Sequence, residues 1–258
     1  GRITEFSMTG ALEGVEVWDV TDPAEIRRPA AVLADGILKF TVATDTLREF
    51  IAFDGTGFLP VFPAGTVANQ DLHAAQPAEM VIVTHPLFTE QAERLADFHR
   101  EHNDLSVLVV NTEQVFHEFG CGQPDPGAIR DFVKMLYDRG TEENRPRYLL
   151  LFGDGSYDPK NRIPGNNNLV PTFQSAESLN STISYVTDDF FGIMVNNGGQ
   201  DANGIIHIGI GRFPVSTQEQ ARDMVDKIVC YGTCKYPVTS EWRNMITFVA
   251  DDENQNLH

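Results

Sequence analysis

Three acidic turns hold the side chains best suited to chemistry in this chain. In RYLLLFGDGSYDPKNR, Arg147 to Arg162, an apolar run breaks into Gly153-Asp154-Gly155-Ser156. Glycines on either side let the backbone turn tightly and leave the Asp154 carboxylate open to a partner. The others are Asp188-Asp189 in SYVTDDFFG and Asp251-Asp252-Glu253 after MITFVA. Carboxylates gathered with backbone carbonyls suit a hard cation such as calcium. Alternatively, Asp154 ties its own loop through local amide hydrogen bonds and the other pairs are solvated turns. None of the loops has the regular DxDxDG spacing that makes a calcium motif specific, so spacing leaves both readings open.

Nucleophilic chemistry has fewer candidates. A cysteine nucleophile needs an accessible thiol beside a positioned imidazole. Cys121 in HEFGCGQPD lies near His117, but its loop precedes a helix instead of ending a buried strand. Cys230 and Cys234 fall at the end of a helical pattern that stops at Gly232, where packing is the simpler role. There is no GxSxG, HExxH or zinc spacing, and HIGIGRFP lacks the GxGxxG of a dinucleotide loop. His85, before Pro86 at a strand end, reads as structural.

The elements that must position these residues follow from periodicity. Residues 1–65 form a β-rich segment, the end of a preceding domain, with strands in GVEVWDVTDP, GILKFTVATD and REFIAFDGTG. Residues 66–78, with Pro77 and little periodicity, read as a linker. From 79 to 258 strands alternate with helices. MVIVTH, LSVLVVNT, YLLLFG, IIHIGIG (Ile205 to Gly211) and NMITFVADD are the strands. TEQAERLADFHREH, PGAIRDFVKMLYDRG capped by Asp125, and QEQARDMVDKIVCYG opened by Thr217 are the helices. The first helix should turn Ala92, Leu95, Ala96 and His99 to one face. Repeated β-α-β units predict a largely parallel sheet with helices on both faces, and ligands collect outside the carboxyl ends of such strands.

Bulk composition narrows the function. A chain of 258 residues with 41% hydrophobic and 22% charged residues has the make-up of a globular fold. Acids outnumber bases 37 to 19, giving a charge of −18 that repels phosphate backbones, so nucleic acid is not an expected partner. No apolar run is long enough to predict a transmembrane segment.

In chain order, VANQDLHA, MVIVTHPLF, AIRDFVKMLYDRG, RYLLLFGDGSYDPKNR, VPTFQS, SYVTDDFFG, GIGRFPVSTQEQARDMVDKIVCY and FVADDENQNLH resemble the gingipain family of bacterial cysteine peptidases. Within it they are most similar to the gingipain-like sortases, or C-terminal signal peptidases, of the type IX secretion system. The resemblance runs from about Val67 onward. It implies a caspase-like three-layer α/β/α sandwich with a mostly parallel sheet, of which residues 79–258 would be the first subdomain.

The implied activity is cysteine endopeptidase. It would remove the C-terminal secretion signal from exported cargo, with transfer of the acyl group to surface lipopolysaccharide as a second outcome. The family's Cys and His end later strands, so the chain is expected to be truncated in mid-domain and inactive. Asp252 falls nearest the family's catalytic acid, and Asp154 and Asp201 fall nearest its calcium-binding acids. No cofactor is required, and calcium enters as a structural ion. The implied partners are cargo proteins carrying a C-terminal secretion domain and type IX components, and the implied location is the cell surface beyond the outer membrane.

Overall fold

The computed structural model describes residues 1–63, 65–177, 179–180, 183–196, 199, 202–233 and 245–248. The chain divides into two compact units, Gly1–Val67 and Ala68–His258.

The first unit holds five short strands: β1 (Ile3–Thr9), β2 (Glu16–Asp19), β3 (Ala31–Ala34), β4 (Ile37–Ala43) and β5 (Phe50–Phe53). They form an antiparallel sheet in the order β1-β4-β3 and an antiparallel pair β2-β5. Side chains alternate across a strand with period two, and Phe6, Met8, Leu38, Phe40 and Val42 accordingly share one face, which packs with Val17 and Phe50 of the β2-β5 pair. Phe50 lies 5.0 Å from both Phe6 and Phe40, giving this small core an aromatic centre. β1 and β3 were not recognised from periodicity. All four residues of β3 are exposed, so it has no buried face to leave an alternating pattern.

The second unit carries β6 (Met80–Thr84), α1 (Thr89–Asn103), β7 (Val107–Asn111), α2 (Thr112–Phe119), α3 (Pro126–Arg139), β8 (Tyr148–Phe152), β9 (Phe173–Gln174), β10 (Val186–Thr187), β11 (Gly209–Phe213) and α4 (Gln218–Thr233). β7-β6-β8-β11 make one four-stranded parallel sheet, and β9-β10 a small antiparallel pair. Every residue of β6 is buried, as a continuous apolar run flanked by two strands and two helical layers requires.

The pleat sorts the sheet into two cores. Val81, Val83, Val110, Leu149 and Leu151 pack with Val115 and Phe116 of α2 and Ile129, Phe132, Val133 and Leu136 of α3. Met80, Ile82, Leu150 and Phe152 face the other way, onto Ala92, Leu95, Ala96 and Phe98 of α1 and Ala221 and Val225 of α4. This is a three-layer α/β/α arrangement. Burying each large apolar side chain is worth about 1.5–3 kcal/mol, so the fully buried Ile129, Phe132 and Leu136 make α3 a principal anchor of its layer.

Several boundaries differ from the periodic reading. β11 is Gly209–Phe213, four residues later than the strand expected from Ile205, because register is set by pairing with Tyr148–Phe152 and not by the isoleucine run. On α1 the fourth buried residue is Phe98, not His99, whose ring Nδ1 instead meets Asn103 Oδ1 at 3.0 Å. Periodicity predicts no element over most of α2, yet Asn111 and Gln114 form a reciprocal capping box that starts it within one residue of β7. Met245–Phe248, expected within a fifth strand, has no regular structure, and the rest of that segment lies outside the described residues.

Candidate functional site

The sheet changes direction at the carboxyl ends of β6 and β8. From β6 the chain crosses through α1 to β7 on one side, and from β8 it travels to β11 on the other. Adjacent strands whose connections diverge leave a crevice at that edge, the usual place for a ligand in an open α/β sheet. His85, Gly153, Asp154 and the residues after β11 all stand there.

Gly153 is required where it is. Its φ of +156° is a conformation side chains rarely adopt, and a Cβ would lie 2.7 Å from Val170 Cγ2. The turn feeds the ladder onward: Gly153 N–H donates to the Phe213 carbonyl and Asp154 N–H to the Val215 carbonyl, each at 3.0 Å. The Asp154 carbonyl accepts from Leu169 and Val170. Its carboxylate accepts from Gly155 N–H at 3.0 Å and from the Ser216 hydroxyl at 3.1 Å. Asp154 therefore ties its own loop to the segment after β11.

A carboxylate has about four lone-pair sites, so roughly two remain uncommitted on Asp154. Calcium takes six to eight oxygens, more than this one carboxylate and one hydroxyl provide. Asp201 and Asp252 lie outside the described residues.

Arg212 is the organising residue of this edge, and periodicity gave it no role. Its side chain projects from β11 and uses all five guanidinium donors. Nη1 donates to the Gly153 carbonyl at 2.9 Å and the Val170 carbonyl at 2.8 Å. Nη2 donates to the Pro171 carbonyl at 3.2 Å, and Nε and Nη2 grip the two Asp188 oxygens at 2.7 and 2.8 Å. A buried carbonyl left unpaired costs free energy, and the guanidinium satisfies one just past β8 and two in the loop before β9. Asp188 is thus committed to an arginine and is not an open cation ligand. A lone arginine in GIGRFP and an acid in SYVTDDFFG were the available signals, but nothing in one sequence joins them.

His85 is half-buried after β6, its Nδ1 accepting from Leu87 N–H at 3.3 Å and its ring 5.9 Å from Phe88. Burial pushes its pKa below the usual imidazole value, opposed by the Glu113 carboxylate. Cys121 is exposed and sits at φ +51° just past α2, where its neighbours Gly120 and Gly122 both donate to the Phe116 carbonyl. No hydrogen bond joins its thiol to His117 among the described residues. Cys230 is also free and exposed, and Cys234 lies outside the described residues.

Away from this edge, Asp71, His73 and Glu118 form the only described group of three or more metal-ligating side chains. Its geometry is that of a tie. Glu118 accepts from Leu72 N–H at 2.7 and 2.8 Å, His73 N–H at 3.2 Å and Gln70 Nε2 at 2.8 Å, with His73 Nδ1 at 2.8 Å. Burial pushes the Glu118 carboxyl up, but the Leu72, Gln70 and His73 hydrogen bonds outweigh it and bring the pKa down to about 2. Residues 70–73, in the stretch expected as a linker, are thereby fastened to α2.

A parallel sheet between two helical layers, with the Asp154 turn at its carboxyl edge, is an architecture that the caspase-like cysteine peptidases share. The chain belongs to Peptidase family C25, whose family model matches residues 73–258. A solved relative is dimeric latent PorU from Porphyromonas gingivalis, with a TM-score of 0.74 and 31% sequence identity over 89% of this chain. The match spans 23% of that PorU chain. No curated protein matches.

Proposed function

We propose that this chain is the leading part of a cysteine endopeptidase that removes the C-terminal secretion signal from type IX cargo at the cell surface. In the parent, a thiolate attacks the scissile carbonyl, backbone amides hold the oxyanion and a histidine protonates the leaving amine. The acyl-enzyme then passes to water or to an amine on surface lipopolysaccharide. The observation that carries the reading is the family match over residues 73–258 on a sheet of the matching fold.

The catalytic cysteine and histidine are assigned to parts of the parent other than residues 1–258, with Asp252 as the supporting acid. In support, neither Cys121 nor Cys230 has an imidazole partner among the described residues. Peptides spanning a cargo cleavage site should not be turned over by this chain. Turnover that disappears in Cys121→Ala would make the chain a complete small hydrolase instead.

Calcium is proposed as a structural ion with Asp154 and Asp201 among its ligands, supported by the strand-end position and uncommitted lone pairs of Asp154. The same ion is central to the second reading, a non-catalytic module binding calcium or a secretion partner. A rise in melting temperature on adding calcium, lost in Asp154→Ala, is the expected result. An unchanged melting temperature rejects the ion in both readings.

A further inference from the structure

The excursion between β8 and β9 builds a pocket that none of the chemistry above uses. Tyr157, Asp158, Pro159, Lys160, Arg162 and Ile163, with Gln174 of β9, line a cavity of about 500 Å³. Asp158 folds the loop, its buried carboxylate accepting from the Arg162 and Ile163 backbone amides and its carbonyl accepting from Asn166 Nδ2 at 2.7 Å. That leaves the cationic heads of Lys160 and Arg162 exposed, and among the described residues neither has a carboxylate partner. Two unpaired cations two positions apart stand out in a chain of charge −18.

Gln174 supplies an independent observation. Its side-chain Nε2 is the one buried side-chain polar atom among the described residues with no hydrogen-bond partner. A buried donor without an acceptor is unfavourable and marks a place where a partner belongs. The wall therefore offers two cations and the Tyr157 hydroxyl beside the buried Gln174 amide, while its own carboxylate is committed. The exposed Tyr157 ring and Ile163 add apolar surface beside the donors.

We propose that this pocket binds a carboxylate-bearing peptide segment, with Lys160 and Arg162 meeting the acid and the Gln174 amide, buried in the free chain, turning outward to donate to an oxygen of the ligand. A carboxylate on an organic chain satisfies both the cations and the apolar wall. A bare phosphate would leave Tyr157 and Ile163 uncovered and has no described helix N-terminus here to receive it. The choice of a peptide rests on the peptidase reading, so the test measures binding and not turnover.

The experiment is a ¹⁵N NMR titration of this chain with acetylated hexaglutamate amide, hexalysine amide and inorganic phosphate. Hexaglutamate should move the Gln174 side-chain amide pair and the amides of Tyr157–Ile163 saturably, more weakly as salt rises. The Lys160→Gln/Arg162→Gln variant, altered only at exposed loop positions, should raise Kd by about fivefold or more. Hexalysine should leave these signals in place. No movement of the Gln174 amide, equal movement with hexalysine, or binding undiminished in the double variant would overturn the proposal. Phosphate moving the same amides at lower concentration would overturn it in favour of a phosphate site. A chain that binds hexaglutamate while its parent lacks peptidase activity would leave this site standing and remove only the assigned reaction.

Discussion

Arg212 and Asp188 meet in a two-pronged ion pair, Nε to Oδ2 at 2.7 Å and Nη2 to Oδ1 at 2.8 Å, although 24 residues separate them. Planar guanidinium and planar carboxylate match in this geometry, and the three remaining donors of Arg212 hold carbonyls of Gly153, Val170 and Pro171. One side chain thus fixes the ends of β8 and β11 and the loop between β8 and β9.

Arg212→Lys keeps the charge but cannot reproduce the fork. It should destabilise the second unit by about 3 kcal/mol, the scale for breaking a largely buried pair, as read by chemical denaturation. Asp188→Asn should cost less, and the double variant less than the sum of the two, because each single change strands the other partner. Additive losses would show that the two side chains act separately.

Gly153→Ala should destabilise by about 2 kcal/mol, combining a disfavoured φ with a contact of 2.7 Å to Val170 Cγ2. Shortening the opposing residue in Gly153→Ala/Val170→Ala should make the combined loss smaller than additive, with the backbone cost remaining.

Glu118 links acid stability to the tie between residues 70–73 and α2. Its folded pKa is about 2, below the ordinary carboxylate value of 4.5. The stabilisation is therefore complete above pH 4.5 and is lost as pH falls toward the folded value. Glu118→Gln should cost about 2 kcal/mol at neutral pH through loss of charge-assisted hydrogen bonds. The gap from the natural chain should narrow below pH 4.5, in denaturation curves measured across that range.

His85 should titrate below the ordinary imidazole value of 6.5, since burial disfavours its charged form. Its stabilising contribution is full above that value and declines as pH falls through the folded pKa. Glu113→Gln removes an opposing carboxylate and should move the midpoint lower still, as followed by the His85 ring protons in NMR.

How much of this was legible in sequence depended on burial. β6 and β8 are apolar runs enclosed on two faces, and α3 has Asp125 as its cap and a full helical stripe, so all three stood out. β3 is exposed throughout, and β9 and β10 are two residues each, too short for any period to register. The acidic turn at Asp154 was found, because glycine and a strand end mark it locally. Arg212 and its grip on Asp188 were not, because that relationship exists only once β11 pairs with β8. The same holds for the unpartnered Gln174 amide, which becomes an anomaly only when the loop encloses it.

The central claim is that these residues frame a peptidase whose reactive cysteine lies elsewhere in the parent. Labelling the parent with a thiol-directed peptidyl inhibitor and mapping the modified peptide by mass spectrometry tests it most directly. The label should fall outside residues 1–258, with Cys121, Cys230 and Cys234 unmodified. Activity-dependent labelling of any of those three would contradict the account.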